Sequence, residues 1–164
     1  MTATPLQIVN VCKLGDSASA TVIQWHVVAM FAPLIFTGSI INFLDNRKVM
    51  MIGVILYIIS IRFGVTGQTI EYFWISLFLW GLGWNFLYVG GSDIISKSAL
   101  SEERAKVQGV TYFIIFIFVA SGSFLAGSLH NNLGWEIMMF YTSIPISVLF
   151  LSIVFINPRE IKAT

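Results

Sequence analysis

The chain of 164 residues is 57% hydrophobic and 10% charged, and its mean hydropathy is +0.85. A soluble domain of this size needs roughly a quarter of its residues charged to cover its surface, so the composition excludes a soluble globular protein and indicates one that spans a membrane. The net charge of +1 forms no patch for a nucleic-acid partner, and a single cysteine, Cys12, excludes an internal disulfide.

The predicted elements, in chain order, are a short apolar stub and five membrane-spanning helices. Residues 2–13 supply only about half of the ~20 residues that a helix needs to cross a bilayer. Five charge-poor windows are long enough, at 22–44, 49–67, 71–94, 107–129 and 135–157. They lack the alternation of barrel strands, and lipid requires every backbone polar group to be bonded within the segment. The expected fold class is therefore an all-α membrane protein.

Basic residues fall unevenly on the two sides of the predicted bundle. If the helices alternate in direction, one side carries Arg47, Lys48, Lys97, Arg104, Lys106, Arg159 and Lys162. The other side carries only Lys13 and Arg62. Since cytoplasmic loops are enriched in Lys and Arg, this asymmetry predicts that the first group, and with it the C-terminus, is cytoplasmic.

Two candidate ligands lie in the first long window, in the stretch IQWHVVAMFAP at 23–33. His26 and Met30 are four residues apart, so a helix places them on one face, about 6 Å apart along its axis. An imidazole and a thioether together suit the soft ion Cu(I) and suit Mg²⁺ or Ca²⁺ poorly. The alternative is that His26 hydrogen-bonds to a neighbouring helix and that Met30 only packs. Pro33 is expected to kink this helix.

Other polar residues in the windows admit two interpretations. Gln24 and Asn85 are candidates for a substrate path, but either could instead hydrogen-bond between helices. Asp93 is expected to pair with Lys97, one helical turn further on. His130, beside two asparagines, is expected to be solvated. Close approach of helices is predicted at Gly81, Gly83, Gly90 and Gly91.

The sequence gives no support to an enzyme. It has no nucleophile placed beside a base, no phosphate-binding glycine loop and no Cys/His spacing typical of zinc. No cofactor is expected.

An ordered series of short motifs resembles the C-terminal half of a major facilitator superfamily transporter. The motifs are MTATPL, IQWHVVAMFAP, FTGSI, NFLDNRK, GLGWNFLYVGG, EERAKVQG and LGW, and together they cover essentially the whole chain. Within the superfamily they are most similar to the copper-importing, CcoA-like branch. The resemblance implies a six-helix half with a truncated first helix, five full helices after it, and a substrate path shared with a missing N-terminal half.

The resemblance also implies roles for individual residues. His26 and Met30 match a His-x3-Met of the copper-importing branch, and Met1 matches the second methionine of a Met-x3-Met on the preceding helix. The superfamily's loop signature, Gly-x3-Asp-Arg-x-Gly-Arg-Arg, is present as a degraded copy in Gly38, Asn42, Asp45, Arg47 and Lys48.

Three functions remain open at this point. The favoured one is copper import by alternating access in a bacterial inner membrane, with this half inactive alone. The second is transport of an organic, vitamin-like solute by the same fold. The third is a truncated membrane protein that transports nothing. The expected partners are the lipid bilayer, the missing half, supplied by the same gene or by a partner chain, and a copper ion or small solute.

Overall fold

A computed structural model describes residues 3–155, in which all regular elements are helical and no β-strand occurs. The expected all-α class is confirmed. The stub is one α-helical turn, α1 (Ala3–Pro5), followed by a π-helical segment (Leu6–Val11). The remaining helices are α2 (Asp16–Phe31), α3 (Leu34–Leu44), α4 (Asn46–Thr66), α5 (Ile70–Ser98), α6 (Arg104–Leu133) and α7 (Trp135–Phe155).

The first predicted span, 22–44, is not one straight helix. It begins earlier, at Asp16, and is broken at Ala32 and Pro33, so that α2 and α3 meet at an angle of 46°. Proline has no N–H to donate and its ring crowds the preceding turn, which confirms the kink expected at Pro33. With 16 and 11 residues, neither α2 nor α3 crosses a bilayer alone. By length and composition the described chain has four spanning helices, or five when this bent pair counts as one span.

The other helices extend beyond their apolar windows. α5 continues to Ser98, and α6 runs from Arg104 to Leu133, so these helices have 29 and 30 residues. A bilayer core needs only about 20 residues, and polar residues remain helical where the helix leaves the hydrocarbon. The charge-poor windows therefore underestimate the length of both helices.

Glycines let α5 approach its neighbours closely. A Cβ at Gly81 would lie 2.6 Å from the carbonyl oxygen of His26 on α2, and one at Gly83 would lie 2.8 Å from that of Gly53 on α4. Real side chains do not tolerate such distances, so any larger residue would push these helices apart. The predicted close approach is confirmed at Gly81, Gly83 and Gly90, and is wrong at Gly91, where a Cβ would meet nothing within 4 Å.

One end of the bundle, called here the basic end, joins the start of α4, the last turns of α5 and the end of α7. Asn46 donates from Nδ2 to Asp93, at 2.7 Å, and Arg47 donates to the carbonyl oxygen of Val154, at 2.6 Å. Asp93 also pairs with Lys97, at 2.6 Å, which confirms that prediction. The turn at 45–48 therefore lies at the same end as the C-terminal ends of α5 and α7.

The opposite end is held by hydrogen bonds from α6 and α7. Trp135 donates from Nε1 to the carbonyl oxygen of Gly64, at 2.7 Å. His130 was expected to be solvated, and this was wrong: it lies within α6, is buried, and places Nε2 2.9 Å from Oε1 of Gln7 in the π-helical segment. α6 continues one turn beyond its predicted end, which carries His130 back against the stub.

α6 differs from the central helices because little of it is covered. None of its most apolar 18-residue window is buried, whereas 39% of the corresponding window is buried in α4 and in α5. Phe113, Phe118 and Phe124 are among its widely exposed side chains. Lipid or another protein segment must cover this surface, because it is too apolar to face water.

Candidate functional site

A partly open cavity of about 240 Å³ lies beside His26, between the stub and helices from both ends of the chain. Its polar side chains are Thr4, His26, Ser60, Ser76 and Thr142, and its larger apolar ones include Trp80, Met138 and Met139. A concave, mostly apolar site with a few polar groups is the usual form of a small-molecule site. The cavity is therefore the strongest candidate for a functional site in the described part of the chain.

His26 is held in one orientation by α5. Its side chain is only 3% exposed, and its Nδ1 lies 2.6 Å from the carbonyl oxygen of Leu77. A carbonyl can only accept, so Nδ1 carries the hydrogen and Nε2 of the neutral ring is left as an acceptor. His26 is thus bonded to a neighbouring helix, which is one of the two interpretations that the sequence left open, and it is also part of the cavity wall.

The hydroxyl groups of the cavity are mostly committed to the protein. Ser60 donates to the carbonyl oxygen of Ser76 at 2.7 Å, and Ser76 donates to that of Ser60 at 2.9 Å. Thr142 donates to the carbonyl oxygen of Met139 at 2.6 Å. These hydroxyl groups hold the backbone together, and their remaining lone pairs can only accept. The cavity therefore suits an occupant that donates hydrogen bonds.

The other residues predicted around His26 are not brought to the cavity. Met30 is half-buried but is not among the lining side chains, and the thioethers of Met138 and Met139 line it instead. Gln24 lies two residues from His26, about 200° around the helix, and is exposed on the outer surface of α2. Met1 lies outside the described residues.

Asn85 lies fully buried where the bent span breaks. Its Nδ2 donates to the carbonyl oxygen of Met30, at 2.7 Å, on the α2 side. The Thr37 hydroxyl on the α3 side lies 2.6 Å from Oδ1 of Asn85 and 2.8 Å from the carbonyl oxygen of Pro33, and it has one hydrogen for the two acceptors. Both polar atoms of Asn85 are thus used between helices, and Asn85 does not line the cavity. Sequence reasoning missed Thr37, although a threonine four residues after a proline is placed to bond its carbonyl.

Metal-ion sites built from common ligands are absent from this part of the molecule. Within 3–155, no three His, Cys, Asp or Glu side chains come close enough to hold a metal ion. Copper coordination at His26 would therefore depend on sulfur from Met138 or Met139.

The family model described as Major Facilitator Superfamily matches residues 5–164 of the chain. The chain belongs to the Major Facilitator Superfamily. With its membrane-length helices, it is an integral membrane protein. The resemblance to the superfamily is thereby confirmed, and no enzyme family is indicated.

Named relatives cover most of this superfamily chain. The riboflavin transporter RfnT of Brucella anthropi is 40% identical over 136 residues, which are 83% of this chain and 34% of that protein. The uncharacterized MFS-type transporter YdeG of Bacillus subtilis is 33% identical over 132 residues, 77% of this chain and 30% of that protein. The multidrug resistance protein MdtL of Shewanella oneidensis is 21% identical over 165 residues, 97% of this chain and 41% of that protein.

The names of these relatives bear on the resemblance to the copper-importing branch. None of the three is named as a copper transporter, so the copper-importing branch receives no support from them. The chain spans about a third of the length of the first two relatives. No solved structure matches it.

The backbone conformation at Asp45 explains why the superfamily loop signature has a glycine at this position. Counting from Gly38, the second glycine of the pattern falls on Asp45, which links α3 to α4 with φ +74° and ψ 142°. This region of backbone conformation strongly favours glycine. Arg47 bonds the end of α7, whereas Gly38, Asn42 and Lys48 are exposed.

Asn46 was missed by the sequence reasoning although it lies inside the same signature. It is buried, and it bonds both Asp93 and the carbonyl oxygen of Gly90, at 2.7 and 3.0 Å. Asn46 occupies a position where the signature has a basic residue, and this departure from the signature could have marked it as a residue with a different role.

Proposed function

We propose that this chain is half of a secondary transporter that moves a planar organic solute, of the riboflavin type, across the membrane by alternating access. The observation that carries the proposal is the 40% identity, over 83% of the chain, with a protein named as a riboflavin transporter. A second half, from the same gene or from a partner chain, completes the path. The proposed location is the inner membrane of a bacterium, with the basic end and the C-terminus in the cytoplasm, as the charge asymmetry indicates.

The chemistry of the cavity supports a heteroaromatic solute. His26 offers an acceptor nitrogen whose orientation is set by its hydrogen bond to the Leu77 carbonyl. Trp80 offers an aromatic wall, and Met138 and Met139 offer polarizable ones. A planar ring with an N–H at its edge would satisfy the imidazole and stack or pack against the other three side chains. The volume of about 240 Å³ suits one ring system, with any chain attached to the ring lying outside the cavity.

Copper import is less well supported than organic-solute transport. It rested on His26 and Met30 acting together, and only His26 lines the cavity. The sulfur atoms of Met138 and Met139 keep a soft-metal site chemically conceivable, so copper accumulation belongs in the test of function.

Uptake by the full-length protein that carries this half tests the proposal. We would express it in a riboflavin auxotroph that lacks its own uptake system and measure accumulation of labelled riboflavin and of copper in parallel. The expected result is riboflavin uptake that competing planar heteroaromatic compounds inhibit, with unchanged copper content. Copper accumulation without uptake of any planar solute would refute the organic-solute proposal. The isolated chain, at equal membrane abundance, is expected to insert but not to transport.

A further inference from the structure

Four aromatic side chains from three helices form a continuous row, called here the aromatic strip: Phe31 on α2, Trp84 and Tyr88 on α5, and Tyr112 on α6. The ring centroids of Trp84 and Tyr88 are 4.5 Å apart with planes 12° from parallel, and those of Tyr88 and Tyr112 are 5.6 Å apart at 23°. Phe31 meets Trp84 edge to face, at 6.0 Å and 61°. The strip thus holds three nearly parallel rings, those of Trp84, Tyr88 and Tyr112, with Phe31 edge to face at its α2 end.

The aromatic strip begins where the cavity ends. Trp80 lines the cavity, and Trp84 and Tyr88 follow it at four-residue spacing, so the three rings lie along one side of α5. The row reaches the basic end at a pair of hydroxyl groups, Ser92 and Tyr112, 2.7 Å apart. Ser92 directly precedes Asp93, which belongs to the contacts of the basic end. The strip therefore connects the His26 cavity with the basic end.

Position separates the aromatic strip from ordinary interface anchors, and partial exposure separates it from fully buried core, although Trp84 also packs against the buried cluster around Val54 and Tyr57. Trp84 is near the middle of the 29-residue α5, whereas tryptophans that anchor a helix at the membrane surface lie near its ends. Phe31 is 52% exposed, and Trp84, Tyr88 and Tyr112 are only partly buried. Their rings therefore remain accessible to an occupant beside them.

A second aromatic group provides a comparison within the same helices. Trp74 and Phe78 stack at 5.1 Å and 8°, with Trp25 of α2 edge to face against Trp74 at 5.9 Å. Trp74 is the fifth residue of α5, towards the opposite end. None of these three side chains lines the cavity. This group matches the strip in chemistry and differs from it in position.

We propose that the aromatic strip is the path by which a planar heteroaromatic solute moves between the His26 cavity and the basic end, with its ring face against the exposed edges of Trp84 and Tyr88 as it passes; this rests on the proposed function. An edge-to-face contact with an aromatic side chain tolerates variation in the solute, because every planar heterocycle has a π-face. The hydroxyl pair at the end offers hydrogen bonds to a solute leaving the rings.

The experiment uses the full-length protein and measures both the KM of riboflavin uptake and the quenching of flavin fluorescence on binding. Trp84→Leu and Tyr88→Leu are each expected to raise KM about tenfold and to reduce quenching, because each removes one aromatic contact with the solute. Trp84→Phe keeps a ring and should retain KM within about twofold. Trp74→Leu, the matched control, should leave KM and quenching unchanged.

Protein abundance and melting temperature are measured for every variant, and Tyr88→Leu gives the answer if Trp84→Leu fails to fold. Riboflavin transport by the wild type with unchanged KM in the folded leucine variants would overturn the strip as a path and leave the proposed function standing. An equal rise in KM from Trp74→Leu would also overturn it, because the effect of losing an aromatic ring would then not be specific to the strip. If the wild type neither binds nor moves any planar solute, both proposals fail.

Discussion

Asn85 of α5 donates a hydrogen bond from Nδ2 to the backbone carbonyl of Met30, 2.7 Å away, at the end of α2 where Pro33 interrupts the span. A helix broken by proline leaves carbonyl groups without their usual donors, and lipid supplies none. The Thr37 hydroxyl on α3 lies 2.6 Å from Oδ1 of the same Asn85 amide. The bend between α2 and α3 is therefore stabilised from α5, just beyond the turn that carries His26.

Asn85→Ala is expected to destabilise the protein by about 1 to 2 kcal/mol, because it removes the donor to the half-buried Met30 carbonyl. The measurement is the free energy of unfolding in mixed micelles. Asn42→Ala is the matched control, since Asn42 is an exposed asparagine on α3, and it should change this free energy by less than about 0.5 kcal/mol. Equal effects of the two substitutions would show that the Asn85 hydrogen bonds do not stabilise the bend.

Met30→Leu is expected to leave transport by the full-length protein nearly unchanged. Leucine keeps the volume of Met30 and removes only the sulfur, and the Met30 side chain does not line the cavity. His26→Ala should reduce uptake at unchanged membrane abundance, because it removes the acceptor nitrogen of the cavity. The readout is uptake of labelled riboflavin and of copper. A Met30→Leu variant that loses copper accumulation as completely as Met30→Ala would restore the His26–Met30 pair as a copper relay.

Asp45→Gly is expected to stabilise the protein by about 1 kcal/mol. At φ +74° and ψ 142° a residue with a Cβ is strained, and glycine adopts this conformation without that cost. Part of the gain is offset because glycine also has more freedom in the unfolded chain. The melting temperature in detergent should rise for Asp45→Gly and stay unchanged for Lys48→Ala, an exposed neighbour in the same turn. A lower melting temperature for Asp45→Gly would mean that the carboxylate contributes more than the strain costs.

Labelling from the two sides of the membrane tests the topology. Cys12 is the only cysteine of the chain, so Cys12→Ala gives a background for single substitutions. The substitutions are made in the full-length protein after any other cysteines have been removed. Ser98, at the basic end, and Asn131, at the opposite end, are both exposed, and each is replaced by cysteine in turn. An impermeant maleimide added to intact cells should label only Asn131→Cys, and permeabilised cells should show both. Labelling of both positions in intact cells would contradict the predicted orientation.

The sequence by itself determined the class of the protein and the approximate position of its long apolar segments. A run of about 20 apolar residues is favourable in lipid whatever lies beside it, because the transfer free energy is a sum over the residues of that run. The broken span at Pro33 and the Asp93–Lys97 pair were also predictable, since both depend on residues within one or two turns. The ends of α5 and α6 were not, because the apolar windows stop where the hydrocarbon stops and the helices continue.

Only the tertiary structure decided which residues meet. Asn85 with Thr37, His26 with the Leu77 carbonyl, and His130 with Gln7 are 48, 51 and 123 residues apart in the chain. Each contact depends on how a helix is rotated about its own axis. In a membrane protein the lipid-facing and the inward-facing side chains are both apolar, so the pattern of hydrophobic residues carries little information about that rotation. Gly81 brings α2 close to α5, and Met30, on nearly the same face of α2 as His26 but one turn further along it, lies outside the cavity that His26 lines.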